Sequence, residues 1–235
     1  TTRDTLSLHD ALPISGLVIT HHPLYLRGTS FLPTSDPKGA SITRLIKNDI
    51  ALFNAHTNAD VSADGVGDAL AQLVGINSPS PLVPTGIDQA RRPIGHGRIG
   101  SIAPTRLGDF LDLVAERLPA GPHGIFGSGD PGKIIERVAV SGGAGDSFLE
   151  AARESGADVF LTADLRHHPA SEHLEGGAPA LICGSHYATE WPWLPILERK
   201  LMQAASTANV EVRVKVSTII TEPWTSHRPT LGGRK

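Results

Sequence analysis

One cysteine in 235 residues, Cys183, leaves nothing from which to build an internal disulfide framework, and it suits a reducing compartment. No apolar run approaches the roughly 20 residues a helix needs to cross a bilayer. Positive charge is not in excess either: 21 Lys and Arg against 24 Asp and Glu give a net charge of −3. Non-specific nucleic-acid binding needs a basic face, so it finds no support. A Walker-type phosphate loop is also missing, because GSGDPGK (127–133) lacks the required spacing and reads as a turn. Aromatic residues make up only 5% and charged residues 19%, whereas 40% are hydrophobic, with 25 Gly and 18 Pro. That balance describes a compact, loop-rich α/β enzyme of the cytoplasm with a sizeable core.

The N-terminus is set aside. TLSLHDALPI (5–14) reads as one translated frame of a DNA-sequencing adapter, so residues 1–15 are expected to be an artefact. The authentic chain is then expected from about Gly16, truncated at its N-terminus. His9 and Asp10 drop out of any site.

From Gly16 short apolar runs alternate with amphipathic stretches, the signature of α/β organisation. GLVIT and IALFNAH read as strands, KGASITRLIKNDI as a helix, and DGVGDALAQLVGI as a helix closed by Gly75. Residues 77–92, rich in Pro and Gly, read as an irregular linker between a first lobe (16–90) and a second (91–227). In the second lobe IGHGRIGSI, IIERVAVSG, ADVFLT and PALICGS read as strands. TRLGDFLDLVAERL, DSFLEAARESG and the part of EWPWLPILERKLMQAA beyond its prolines read as helices. VEVRVKVSTII (210–220) alternates with period two, is expected as a strand, and can return to the first lobe. Residues 228–235 read as a disordered tail.

Four apolar strands end in side chains able to ligate metal. These are VITHHP (His21, His22), LFNAHTNAD (His56, Asp60), FLTADLRHHP (Asp164, His167, His168) and LICGSHYATE (His186, Glu190). The order strand–HHP, then strand–His-x-x-x-carboxylate, occurs twice, at unequal spacing: 34 residues separate His22 from His56, and 18 separate His168 from His186. Groups at the carboxyl ends of strands in an α/β sheet converge on a crevice. Imidazole and carboxylate donors suit two divalent ions such as Zn, Mn, Fe or Ni. Adjacent histidines that leave a strand at a proline can each serve a different ion, and a carboxylate can bridge the pair, as in two-metal hydrolases. His96, His123, His173 and His227 read as structural, His167 and His168 as capping or supporting groups, and Cys183 as a small buried hydrophobe.

The motifs THHPLYLRG, NAHTNAD followed by GVGDALA, GRIG, VAVSGGAG, DVFLTADLRHH and GSHYATEWP together resemble the NIF-three-like dinuclear metal-centre family. Many members of that YbgI-like family carry the label GTP cyclohydrolase I type 2 homologue. The resemblance runs from about Gly16 to Trp224. It implies two related α/β lobes arising by internal duplication, with a di-metal site in the cleft between them, assembled as a toroidal homohexamer. Carried over, it has His21 and His22 each contacting one metal, and Asp60 holding one ion. His186 completes the other ion's shell, and Glu190 bridges the pair. His56, Asp164 and His168 match positions near the metals and take supporting or proton-transfer roles. The family begins with a helix and two strands before the HHP segment, which this chain lacks; the extra domain of some relatives has no room between Gly97 and Asp164.

The function expected on this basis is metal-dependent hydrolysis of a small molecule, with GTP as the named candidate. Water would add at C8 of guanine, and formate would leave. Arg27 and Arg98 are candidates to offset phosphate charge. The alternatives are another nucleotide or phosphoester hydrolysis in the same site, or a ring-shaped protein that binds metal or a partner without catalysis.

Overall fold

The computed structural model describes residues 16–177 and 179–230. The expected artefact 1–15 and the last five residues of the expected tail lie outside them. The described residues divide into two compact units, one of residues 16–59 with Ser217–Pro223, the other of Asp60–Val216 with residues 224–230.

The first unit is a βαβ element. Strand β1 (Leu17–Thr20) leads through a long loop to helix α1 (Pro37–Lys47), which returns to strand β2 (Ala51–Asn54). Asp36 starts α1: its carboxylate accepts from the Lys38 and Gly39 amides, and Pro37 follows with φ already set for a helix. Gly39 cannot be larger, because a Cβ there would meet the Pro33 carbonyl oxygen at 2.2 Å. The two strands pair in parallel, from Leu17 with Ala51 to Thr20 with Asn54. Side chains alternate across a strand, so Val18 and Leu52 share one face and pack with Leu24, Leu45 and Ile50. Parallel pairing also brings both strand ends to the same edge, which places the residues after Thr20 beside those after Asn54.

The second unit begins within helix α2 (Thr57–Val61), which spans the division. Helix α3 (Val66–Val74) closes at Gly75, whose φ of +84° makes the left-handed cap that glycine adopts without strain. The expected linker 77–92 is instead two short strands, β3 (Asn77–Ser80) and β4 (Val83–Ile87). Their prolines are tolerated because β3 lies at a sheet edge and β4 in a two-stranded ribbon. Next come β5 (Pro93–His96), β6 (Arg98–Arg106), helix α4 (Leu107–Arg117), β7 (Phe126–Gly127) and β8 (Ile134–Ala144). A 3₁₀ turn (Asp146–Phe148) opens helix α5 (Leu149–Glu154), then β9 (Val159–Ala163), α6 (His167–Glu175), β10 (Ala180–Gly184) and α7 (His186–Glu190). A second 3₁₀ turn (Trp191–Trp193) leads into α8 (Leu194–Thr207).

The main sheet has the order β3-β6-β8-β9-β10-β7, with β4 and β5 forming a separate ribbon. The three central strands, β8, β9 and β10, run parallel. Strand β9 is buried throughout, as a strand covered on both faces should be. Its Val159 and Leu161 meet Leu70 and Val74 of α3 and Phe110 and Val114 of α4. On the other face Phe160 meets Leu149 and Ala152 of α5. The fold is mixed α/β, as the alternation implied.

The period-two segment 210–220 is no strand: residues 210–222 have no regular structure. Val214 and Val216 are half-buried between exposed Arg213, Lys215 and Ser217, whereas Val210 and Val212 are exposed, so the alternation of faces is kept only over 213–217. A strand also needs a backbone neighbour to pair with, and none among the described residues supplies one.

Candidate metal centre

In the first unit, the common edge of β1 and β2 gathers three histidines. The rings of His21 and His22 lie 4.9 Å apart between centroids, and each is 5.2 Å from that of His56. One ring nitrogen from each falls within 4.8 Å of the others. Nδ1 of His21 is 2.8 Å from the Ala55 carbonyl oxygen. A carbonyl only accepts, so Nδ1 carries the hydrogen and Nε2 keeps its lone pair, the tautomer a metal ligand needs. The Thr20 hydroxyl donates to the His22 carbonyl (2.8 Å) and holds the turn out of the strand. Sequence reasoning gave His56 a supporting role; its ring stands level with the other two as a donor. Asp60 is half-buried on α2, four residues after His56.

In the second unit, Asp164, His186 and Glu190 form a chain. Ser185 caps α7 by accepting from the Ala188 amide, so His186 opens the helix and Glu190 follows one turn later. His186 Nε2 is 2.9 Å from Glu190 Oε1, and its Nδ1 is 2.7 Å from Asp164 Oδ2. Burial opposes a charge on His186, but the hydrogen bonds and negative charges of Glu190 and Asp164 outweigh it and push the imidazole up to about 9. Without metal the ring is therefore an imidazolium that donates to both carboxylates. With a metal it would release a proton and offer Nε2, with Asp164 still holding Nδ1. Asp164 sits just past β9 with φ of +53°, a strained conformation for a non-glycine residue.

The loop after β8 is shaped to this chain. Gly143 has φ of +68°, and a Cβ on it would lie 2.4 Å from Glu190 Oε1 and 3.1 Å from His186 Nε2. Its amide donates to the Thr189 hydroxyl (3.0 Å), and its carbonyl accepts from the Thr162 hydroxyl (3.0 Å). Both threonines are fully buried. The SGGAG run is the sequence signal for this loop; nothing in the sequence singled out either threonine.

Each unit thus presents donors suited to a divalent ion: three imidazoles in one, an imidazole with two carboxylates in the other. The remaining candidates are placed differently. His168 is exposed on the first turn of α6, its ring 5.2 Å from that of His167. Among the described residues it makes no hydrogen bond or ion pair with Asp164, His186 or Glu190. Arg98 is unavailable to a phosphate, being 2% exposed with all five donors used. Nε and Nη2 grip the Asp68 carboxylate (2.6 and 2.7 Å), Nη1 donates to the Gly95 and Gly97 carbonyls, and Nη2 also donates to that of Ser62. Arg27 is exposed on the β1–α1 loop. Cys183 is half-buried, and burial raises its thiol pKa. No helix among the described residues is long and apolar enough to cross a membrane.

A Streptomyces coelicolor protein named GTP cyclohydrolase 1 type 2 homolog is 47% identical over 212 residues, covering 90% of this chain and 74% of its own length. The crystal structure of a Staphylococcus aureus hypothetical protein has a TM-score of 0.83 at 26% identity, over 97% of this chain and 84% of that one. A Bacillus cereus protein related to NIF3 shares the fold, with a TM-score of 0.85 at 21% identity over 95% and 86% of the two chains. The family model Duf34/NIF3 (NGG1p interacting factor 3) matches residues 11–223, and the chain belongs to that family.

Proposed function

We propose that this protein binds two divalent metal ions per chain and uses them to hydrolyse a nucleotide, with GTP as the first candidate. The observation that carries the metal reading is the donor set: His21, its Nδ1 anchored by a carbonyl, stands with His22 and His56, and His186 is oriented by Asp164 and backed by Glu190. In this reading His21, His22, Asp60, His186 and Glu190 are the residues that would hold the two ions.

Two such ions supply, when bound, a water acidic enough to act as a nucleophile near neutral pH and a Lewis acid at the bond attacked. The chain's own residues orient and move protons. The Ala55 carbonyl fixes the His21 tautomer, Asp164 fixes that of His186, and in this reading His56, beside His21 and His22, is the group assigned to pass a proton. GTP enters from the name of the Streptomyces coelicolor relative. Ring opening at C8 of guanine with loss of formate is the reaction that name implies for this chain. The working form in this reading is a cytoplasmic homohexamer.

The test is metal analysis followed by a substrate screen. Purified protein should carry about two transition-metal ions per chain, and the loaded protein should release formate from GTP. Phosphate released from other nucleotides instead would move the reaction to phosphoester cleavage. Silence on every substrate with metal bound would remove the enzymatic reading and leave a metal-binding protein.

A further inference from the structure

We infer that Thr162 and Thr189 are positioning residues for the His186–Glu190 pair, acting through the two peptide groups of Gly143. This rests on the reading of that pair as metal ligands. Thr189 accepts the Gly143 N–H, and Thr162 donates to the Gly143 C=O, each at 3.0 Å. The residue is thereby clamped on both sides in the left-handed conformation that turns its bare α-carbon toward Glu190 Oε1 and His186 Nε2. The neighbouring glycines make the clamp possible. A Cβ on Gly145 would fall 2.0 Å from Thr162 Oγ1, and one on Gly142 would fall 3.0 Å from the Thr189 carbonyl oxygen.

Each threonine also belongs to a segment that carries a site residue. Thr162 lies on β9, two residues before Asp164, the partner of His186 Nδ1. Thr189 precedes Glu190, and its hydroxyl hydrogen faces the His186 carbonyl at 3.0 Å and that of Ser185 at 3.2 Å. Two buried hydroxyls therefore tie the segments bearing Asp164, His186 and Glu190 to a single glycine. Replacing either hydroxyl by a methyl group leaves a peptide group of Gly143 without its partner in a dry interior. That cost is relieved by rotating Gly143, and the surface against which Glu190 rests rotates with it.

Cobalt(II) titration of the metal-stripped full chain tests this, read by affinity and by the cobalt d–d spectrum, with thermal unfolding of the metal-free protein as the folding control. Thr162→Val and Thr189→Val should still unfold cooperatively, bind cobalt about ten- to a hundredfold more weakly, and shift the d–d bands. Thr162→Ser and Thr189→Ser, which keep the hydroxyl, should restore affinity and spectrum. Gly143→Ala leaves both threonines in place and should weaken binding to a similar degree, so it decides the matter if a valine variant does not fold. Valine variants with unchanged affinity and spectrum, serine variants that fold yet fail to restore them, or a Gly143→Ala chain that binds like the parent would each overturn the inference. A parent chain that takes up no cobalt overturns the metal reading itself, whereas a binding parent with unaffected variants overturns only the role of the threonines.

Discussion

His186 carries a proton that a metal ion must displace, and this links the site to pH with a definite sign. Its pKa in the metal-free fold is about 9, against roughly 6.5 for an unperturbed histidine. A raised pKa in the folded state means that the group's contribution to stability is fully present below about 6.5 and is lost as pH rises through about 9. Metal-free protein should therefore show a falling Tm across that window, and His186→Gln should flatten the trend. Metal affinity should run the other way, rising toward pH 9 as the competing proton leaves; cobalt titrations at several pH values measure it. Glu190→Ala should strip most of the bound metal, and elemental analysis of the purified variant checks this. His21, His22, His56, Asp164, His186 and Glu190, which stand in the two donor groups, were singled out at strand ends in the sequence, as was His168, which stands apart from them. Their hydrogen bonds were not, because Ala55, Thr162 and Thr189 act through backbone groups and buried hydroxyls that no pattern of residue types displays.

Among the elements, the apolar run of ADVFLT, read as a strand, and the Gly75 cap of α3 were read from residue type alone, since burial and cap geometry are local properties. Pairing is not local. The prolines and glycines of 77–92 suggested an irregular linker, yet β3 found β6 and β4 found β5. The alternating run 210–220 suggested a strand and found no neighbour. Arg98 shows the same lesson, since GRIG gives no hint that its guanidinium joins the Ser62 carbonyl, the Asp68 carboxylate and the turn at Gly95–Gly97. Removing one partner of a buried, hydrogen-bonded charge pair costs about 3–5 kcal/mol. Arg98→Ala should lower unfolding stability by that order in a denaturant titration, with cobalt binding measured in parallel to separate fold from site.

For the molecule as a whole, the two units differ in how much apolar surface they bury. The second packs both faces of β9, whereas among the described residues the first buries Leu45, Ile50, Ala55 and Ala59, with Val18, Leu24 and Leu52 packed against the first two. Local opening follows buried contact, so amides of β8 and β9 should exchange with deuterium far more slowly than those of β1 and β2. Comparable protection of both would contradict this. The face of β1 and β2 turned away from α1 carries Leu17 and Phe53, 50% and 54% exposed. Greasy ribbon left in water lowers colloidal stability. Preparations should cloud as they are concentrated, and Phe53→Lys should raise the concentration at which they do.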